Sequence, residues 1–158
     1  MVNRITVTFG GAAVLDPGAI ELRRGDGTLV DAQISISLVG GKTAAVLTFA
    51  GAKFVGGSLA DGNYTLTVLA DHVHDRWGRE LDGDGDGSAG GNQVDGFFRL
   101  FGDANGDRHV DQQDRDLFRS AFGKSATDVG YLWYFDFNGD GVVDGRDNGQ
   151  FNRRFEQF

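Results

Sequence analysis

The sequence predicts a mainly β protein with a small α-helical module at its C-terminal end. The first observation is the alternation of apolar and polar residues, as at Ile5, Val7 and Phe9, which recurs through residues 1–101. The second is glycine, which occurs 26 times against a single proline and separates the alternating segments. The third is an aspartate-rich segment that occurs twice near the C terminus, each time before residues with helical spacing. We therefore expect two domains, residues 1–101 and residues 102–158.

Short alternating segments make up most of the predicted N-terminal domain. A period of two with one polar face is typical of antiparallel sheets whose inner faces pack together. Glycine-rich turns between the segments support the same assignment. About six or seven such strands favour an immunoglobulin-like (Ig-like) antiparallel β-sandwich. The segments lie at residues 5–9, 20–22, 34–38, 46–49, 64–69 and 97–101.

Two consecutive segments of this domain carry a family resemblance. Residues 59–66, Leu-Ala-Asp-Gly-Asn-Tyr-Thr-Leu, resemble the penultimate hairpin of bacterial Ig-like domains. Residues 73–83, which include Trp77, resemble the segment that follows that hairpin in such domains. The resemblance implies an Ig-like domain that belongs to a larger bacterial protein.

The aspartate-rich segment occupies residues 103–114 and again residues 136–147, at an offset of 33 residues. Downstream of the two copies, Phe118 and Phe122 recur as Phe151 and Phe155, and we expect these four residues, with Leu117 and Ala121, to face the interior. Polar and core positions therefore match together, which indicates a repeated structural unit. The matched pairs are Asp103 with Asp136, Asn105 with Asn138, Gly106 with Gly139, Asp107 with Asp140, Val110 with Val143, Asp111 with Asp144 and Asp114 with Asp147.

The spacing of the repeated polar residues is that of a calcium loop. Such a loop places oxygen ligands at positions 1, 3, 5, 7, 9 and 12, which together wrap a hard cation. Position 12 is usually glutamate, but both copies have aspartate, which is one methylene shorter and brings the following helix closer to the ion. The alternative is a pair of acidic turns, and two copies in register disfavour it.

A duplicated loop with one exit helix per copy resembles the type I dockerin module, over roughly residues 102–158. The resemblance implies two bound calcium ions, helices over about 111–122 and 145–157, and a short β-bridge between Val110 and Val143. It implies main-chain ligation by the position-7 residues His109 and Val142. The side-chain ligands it implies are Asp103, Asn105, Asp107, Asp111, Asp114, Asp136, Asn138, Asp140, Asp144 and Asp147.

Position 6 of the two loops departs from this pattern. Calcium loops need a sharp turn there, often with positive φ, which glycine adopts without strain. The second loop has Gly141, but the first has Arg108. We therefore expect the first site to be strained or weaker, and still present.

A third aspartate-rich segment, residues 82–95, has only part of a calcium loop. Asp82, Asp84 and Asp86 occupy positions 1, 3 and 5, and Ser88 occupies position 7. Position 12 is Gln93, which is not a carboxylate, and no helix pattern follows. We expect this segment to bind a third calcium ion if a distant oxygen closes the shell, with Asp95, Asp75 and Glu80 as candidates. The alternative is a flexible acidic loop.

Composition limits the function further. The net charge is −8, and the two repeated loops hold eight of the aspartates, so two Ca²⁺ with four positive charges would leave −4. The absence of a concentrated basic patch argues against nucleic acid. No run of 18 apolar residues is present, so we expect no membrane insertion. Cysteine is absent, which excludes a disulfide framework.

Other residues suggest chemistry more weakly. His72 and His74, with Asp75, could form a transition-metal site, although a surface strand is the simpler interpretation. Trp77 and Tyr64 could form a sugar-stacking surface, although such aromatics more often pack against a sandwich core. No catalytic constellation emerges, because clustered aspartates are better used as calcium ligands, and we do not expect an enzyme.

Three functions remain open. The first is a non-catalytic docking module that anchors an extracellular or cell-surface bacterial protein to a cohesin-like partner. The second is a calcium-rigidified structural tail without a partner, and the third is a carbohydrate-binding sandwich appended to a polysaccharide-degrading enzyme. We expect a monomer excised from a longer secreted protein. The dockerin resemblance places partner contacts at Gln112 and Gln113 in the first repeat and at Gly145, Arg146, Arg153 and Arg154 in the second.

Overall fold

The structure is a computed structural model of the chain and describes residues 1–157. These residues form two compact units. The first, here called the β unit, consists of Arg4–Phe49 and Gly62–Phe98. The second, here called the loop–helix unit, consists of Met1–Asn3, Ala50–Asp61 and the chain from Arg99 onward. The expected division into residues 1–101 and 102–158 remains a prediction.

Eight strands are present in the described residues, in three small sheets. The sheets have the orders β1-β5-β4, β2-β7 and β3-β6-β8. A 3₁₀ turn over Ala70–His72 precedes β7. The strands are β1 Arg4–Thr8, β2 Ala13–Leu15, β3 Ile20–Arg24, β4 Gln33–Val39, β5 Lys42–Thr48, β6 Gly62–Val68, β7 Val73–Asp75 and β8 Gln93–Arg99.

The core of the β unit is built from the predicted alternation. In β5, Ala45 and Leu47 are buried while their neighbours along the strand are partly exposed. β5 lies between β1 and β4, with Leu47 opposite both Ile5 and Ile34 in the antiparallel registers. In the third sheet, Leu22 of β3 lies opposite Leu66 of β6, and both are buried. Because alternate side chains of these strands are buried, the strands can be predicted from the alternation of apolar and polar residues.

Strand β4 differs from the expectation. The alternation of Ile34, Ile36 and Leu38 predicted a buried face, but every residue of β4 is exposed, Ile36 to 53%. β4 is an edge strand that pairs only with β5 in its sheet. The alternation of residues predicts a strand with one apolar and one polar face. It does not predict whether another part of the protein covers the apolar face.

The loop–helix unit contains two short α-helices, α1 (Gln112–Ala121) and α2 (Gly145–Asn152). Each begins at a capping box made of two aspartates. Asp111 accepts the backbone N–H of Gln113, and Asp144 accepts that of Arg146. An aspartate at this position satisfies backbone donors that the first helical turn leaves free. The aspartate at position 12 of each loop, Asp114 or Asp147, therefore also lies in the first turn of the exit helix.

Phenylalanine fills the core of this unit. Phe118 and Phe151, one from each helix, lie 4.7 Å apart between ring centroids. Phe135, in a 3₁₀ turn over Trp133–Phe135, packs edge-on against Phe118 at 5.2 Å. The apolar segment immediately before the second loop therefore packs into the core that the two helices share. Phe101, Val110, Ala121 and Val143 complete the buried cluster.

Helix limits and faces differ in part from the prediction. Helix α2 ends at Asn152, short of the expected residue 157. Leu117 and Phe122 were expected to face inward, but both are exposed, Phe122 to 49%. Phe122 lies just after α1 in extended backbone, which turns its side chain off the buried helix face.

The prediction of a mainly β chain with a small helical part is confirmed. The finer assignments, an Ig-like sandwich and a dockerin-like pair of calcium loops, remain predictions. Within residues 1–157, no helix has both the length and the apolar content that a membrane span needs.

Candidate metal centre

The two repeated loops fold alike, beginning with the aspartate at position 1. Asp103 accepts the backbone N–H groups of Gly106 at 2.6 Å and Arg108 at 2.9 Å. Asp136 accepts those of Gly139 and Gly141, both at 2.8 Å. In each loop, one carboxylate therefore accepts hydrogen bonds from the backbone N–H groups of positions 4 and 6. These bonds fold the loop backbone around the carboxylate.

The aspartates at position 12 close the loops. Asp114 accepts the N–H of Ala104 at 2.8 Å and that of Asp111 at 2.9 Å. Its counterpart Asp147 accepts the N–H of Phe137 at 2.8 Å and that of Asp144 at 2.7 Å. Each carboxylate thus joins the start of the loop to the start of its exit helix.

Positions 3 and 5 are paired in both loops. The side-chain amide of Asn105 donates to Asp107 at 2.8 Å, and that of Asn138 donates to Asp140 at the same distance. The N–H of His109 also donates to Asp107, at 2.9 Å. The backbone hydrogen bond from His109, with the amide of Asn105, lowers the pKa of Asp107 below its usual value. The lowered pKa keeps Asp107 ionised to lower pH than an ordinary aspartate, and the ionised carboxylate is the form that binds a cation.

The two position-12 aspartates combine full burial with a negative charge that a bound cation would balance. Asp114 and Asp147 are both 0% exposed. Among the described residues, no Lys, Arg or His side chain forms an ion pair with either. Burial raises the pKa of Asp147, and the negative charges of Asp136 and Asp144 raise it further. Buried carboxylates are normally paired with cations or bound to metals, and oxygen donors are the ligands that Ca²⁺ prefers.

Backbone conformation at position 6 agrees with the sequence prediction. Arg108 has φ of +73° and Gly141 has φ of +86°. A side chain in this left-handed region is strained by about 1–2 kcal/mol relative to glycine. The first loop therefore makes the same turn as the second at a conformational cost that the second avoids.

The expected bridge between Val110 and Val143 is not found among the described residues. The carbonyl of Val110 instead accepts the N–H of Glu156 at 2.9 Å, and that of Val143 accepts the N–H of Gly123 at 2.8 Å. Gly123 and Glu156 follow α1 and α2 and occupy equivalent places in the repeat. Each loop is thus tied to the chain that leaves the helix of the other repeat.

The third loop, in the β unit, reproduces only the first half of a calcium loop. Asp82 accepts the N–H of Gly85 at 2.9 Å and that of Gly87 at 3.0 Å, as Asp103 does for positions 4 and 6. Asp86 accepts the N–H of Ser88 at 2.7 Å. Gln93 begins strand β8 and donates to Asp95, so no position-12 carboxylate closes this loop.

Carboxylate spacing distinguishes the third loop from the other two. Asp82, Asp84 and Asp86 each offer a ligand atom, and these atoms lie within 4.8 Å of one another. In the part of the chain that the structure describes, this is the one group of three or more acidic, His or Cys residues that meets that spacing. The carboxylates of the repeated loops do not meet that spacing, and the ligand sets predicted for those loops also include Asn105, Asn138 and main-chain oxygens.

The expected partner-binding residues fall into two classes. Gln112, Gln113, Gly145, Arg146 and Arg153 are exposed. Arg154 is different, because its side chain is only 17% exposed and its Nε donates to Asp61 at 2.5 Å. The guanidinium of Arg154 is thus engaged within the loop–helix unit.

Sequence reasoning missed a groove between the two helices. It has a volume of about 390 Å³, with Phe118 and Phe151 at its floor and Phe122 at its edge. Arg115 and Arg119 lie along the α1 side. The spacing of the aromatic residues could have indicated this groove, but Phe118, Phe122 and Phe151 were all predicted to be buried.

The residues of the β unit that suggested a transition-metal site or a sugar-stacking surface contact other residues instead. His74 lies 3.6 Å from Asp16, and His72 lies 3.1 Å from the carbonyl of Pro17. Trp77 is 65% exposed, and the guanidinium of Arg76 covers its ring at 3.9 Å. Tyr64 is buried, so the two aromatics do not form a common exposed surface.

Comparisons with known proteins do not assign the chain to a family. No family model matches it. No curated protein matches it either. Among solved structures, one match is a chain of a mutant type II Cohesin-X-Dockerin complex from Acetivibrio cellulolyticus, with 15% sequence identity and a TM-score of 0.33. The match covers 97% of this chain and 95% of that chain.

Proposed function

We propose that this chain is a non-catalytic, calcium-binding docking region of a larger bacterial extracellular or cell-surface protein. The observation that carries the proposal is the pair of fully buried aspartates, Asp114 and Asp147, neither of which forms an ion pair with a Lys, Arg or His side chain in the described part of the chain. Each of these carboxylates accepts two backbone N–H groups, which offset only part of the cost of burying its charge, so a bound cation would stabilise both loops further.

Calcium would supply two positive charges to each loop. In the first loop, Asp103, Asp107 and Asp114 would bind through carboxylate oxygens that the loop backbone already orients. Asn105 and Asp111 would contribute at positions 3 and 9, and His109 through its carbonyl. The second loop would use Asp136, Asn138, Asp140, Val142, Asp144 and Asp147 in the same roles.

A third ion would bind at Asp82, Asp84 and Asp86, with Ser88 at the main-chain position. Three carboxylates at this spacing repel one another unless a cation lies among them. Since Gln93 cannot close the shell, an oxygen from elsewhere or water would complete it. We expect this site to be weaker than the two in the loop–helix unit, because it lacks a position-12 carboxylate.

Docking would use the exposed start of each exit helix. Gln112 and Gln113 offer neutral amides in the first repeat, whereas Arg146 and Arg153 offer positive charge in the second. A cohesin-like partner with an acidic surface would be attracted to the second set. We propose that the chain acts as a monomer in this role.

The test is calcium-dependent capture of a defined partner. The chain is immobilised and exposed to secreted and surface proteins of the source organism, with calcium or with EDTA. A captured protein is then purified and its affinity for the chain is measured. Stoichiometric binding in calcium, lost in EDTA and in the double variant Asp114→Ala/Asp147→Ala, supports docking.

Two other outcomes have clear meanings. Calcium binding without any captured partner favours a calcium-rigidified structural tail. No calcium binding by calorimetry at millimolar concentration contradicts the proposal as a whole, because the loops would then be acidic turns.

A further inference from the structure

A segment far from the repeats in sequence belongs to the loop–helix unit. This segment, Ala50–Asp61, here called the clasp, lies in the same compact unit as both calcium-type loops. Within it, Ser58 and Leu59 are buried to 2% exposure. The N–H of Leu59 donates to the carbonyl of Val2 at 3.0 Å. The clasp is thus packed within the unit at Ser58 and Leu59, whereas residues 50–53 are exposed.

Gly56 of the clasp lies directly against the second loop. A Cβ placed on Gly56 would lie 2.6 Å from the carbonyl oxygen of Phe137 and 3.0 Å from the nitrogen of Gly139. In return, a Cβ on Gly139 would lie 2.9 Å from the Cα of Gly56. Both glycines have positive φ, +59° and +73°. Two backbones therefore meet where neither has room for a side chain.

Asp61 holds the other end of the clasp. Its carboxylate pairs with Arg99, accepts the N–H of Phe101 at 2.7 Å and pairs with Nε of Arg154 at 2.5 Å. Arg154 is anchored in turn, since it donates to the carbonyl of Gln150 at 2.7 Å. Asp61 thereby joins the chain before the first loop to the chain that leaves α2.

The clasp contacts the residues that carry the second ligand set. Phe137 is position 2 of that loop, and its N–H donates to the position-12 ligand Asp147 at 2.8 Å. Gly139 is position 4, and its N–H donates to the position-1 ligand Asp136 at 2.8 Å. Gly56 therefore lies against Phe137 and Gly139, the two residues whose N–H groups donate to Asp147 and Asp136.

At the equivalent glycine of the first loop, the described residues make no such contact. Gly106 is the counterpart of Gly139, and a Cβ on Gly106 would meet nothing within 4 Å. The conformation is otherwise equivalent, because the N–H of Gly106 donates to Asp103 as that of Gly139 donates to Asp136. The clasp thus breaks the symmetry of the repeat at one site.

We propose that the clasp is a working part of the second calcium site, with Gly56 and Asp61 as positioning residues. This inference rests on the proposed calcium function and adds a determinant that neither repeat contains. When the second loop is ordered, it offers the surface on which the clasp packs. The packed clasp in turn restricts the backbone motion of Phe137 and Gly139, whose N–H groups orient the ligands Asp147 and Asp136. Because coupling between two equilibria is reciprocal, loosening the clasp must weaken the second site, and emptying that site must loosen the clasp.

The first experiment compares Asp140→Ala with Asp107→Ala, which remove the same position-5 ligand from the second and first loops. Hydrogen exchange in saturating calcium, read by mass spectrometry, follows a peptide that covers residues 50–61. We expect faster exchange there in Asp140→Ala than in Asp107→Ala. A peptide covering residues 33–48 of the β unit should be unchanged in both. Equal exchange of residues 50–61 in the two variants overturns the proposal.

The second experiment tests the reverse direction. Gly56→Ala introduces the close contact with Phe137, whereas Gly51→Ala changes a clasp glycine that also has positive φ but has nothing within 4 Å. Calorimetry in the Asp107→Ala background isolates the second of the repeated loops. We expect Gly56→Ala to lower its calcium affinity by about fivefold or more, the lower end of typical coupling. Gly51→Ala should have a smaller effect, and equal effects contradict the proposal.

Failure of the proposed function gives a different result. If the unsubstituted chain binds no calcium in calorimetry, both the docking proposal and the clasp proposal are wrong. If it binds calcium but the paired variants behave alike, only the clasp proposal is wrong. If Gly56→Ala fails to fold, the hydrogen-exchange comparison still decides, because it leaves Gly56 intact.

Discussion

Val143 accepts the backbone N–H of Gly123 at 2.8 Å, and the equivalent bond, from Glu156 to Val110, is 2.9 Å long. Both valines lie inside the calcium-type loops and are buried. Each bond runs from one loop to the chain that follows the helix of the other repeat. The two loops therefore support each other through these two backbone hydrogen bonds, and residues of both repeats share one buried core.

Removal of calcium should destabilise both helices together. At free calcium 100 times the dissociation constant, each occupied site stabilises the folded unit by about 2.7 kcal/mol. We expect EDTA to lower the unfolding temperature of the loop–helix unit by about 10 °C or more, since 1 kcal/mol corresponds to about 4–8 °C in small domains. Circular dichroism at 222 nm measures the helices, and magnesium at equal concentration is the control. An unchanged melting curve contradicts the prediction.

Replacement of Arg108 by glycine should strengthen the first calcium site. Arg108 holds φ of +73°, where a side chain is strained and glycine is not. We expect a gain of about 1 kcal/mol in calcium affinity, roughly fivefold, measured by calorimetry.

The matched variant for this test is Gly141→Arg, which puts the same strain into the second loop. It should lower the affinity of that site, so the two substitutions should act in opposite directions. A decrease from Arg108→Gly would mean that the arginine side chain contributes more to the site than its backbone strain removes.

Loss of one carboxylate from the third loop should remove one ion. Asp84→Ala takes away one member of the group with Asp82 and Asp86, whose ligand atoms lie within 4.8 Å of one another. We expect the calcium stoichiometry to fall by one while the two sites of the loop–helix unit keep their affinities. Ala89→Ser, in the same exposed loop, is the control. An unchanged stoichiometry would show that residues 82–88 form an acidic turn.

Charge reversal should weaken docking more in the second repeat than in the first. Arg146→Glu with Arg153→Glu reverses two exposed positive charges, whereas Gln112→Glu with Gln113→Glu adds negative charge at neutral positions. A partner with an acidic surface should lose affinity and association rate mainly with the arginine pair. Surface plasmon resonance at two salt concentrations measures both. Equal losses from the two pairs contradict docking in a single orientation.

Arg154 does not belong in that test. Sequence reasoning assigned it to the partner, but its side chain is mostly buried and paired with Asp61. Its substitution would disturb the clasp and would confuse loss of docking with loss of structure.

The sequence by itself determined the features that depend on neighbouring residues. Ligand positions in the two loops are contained in twelve residues each, so their spacing alone predicts which oxygens converge. The positive φ of Arg108 follows from the same local turn. The buried faces of α1 and β5 follow from periods of 3.6 and two residues, which are properties of the local backbone.

The tertiary structure alone decided what distant segments do to one another. Asp61 and Arg154 are 93 residues apart in sequence, and no spacing rule joins them. The contact of Gly56 with Phe137, the exposure of β4 and the pairing of Val143 with Gly123 are likewise non-local. The residue pattern within a segment predicts which of its faces is apolar or polar. Which distant residues contact that face depends on how the whole unit packs. For this reason a set of metal ligands could be predicted from the chain, and the clasp beside the second loop could not.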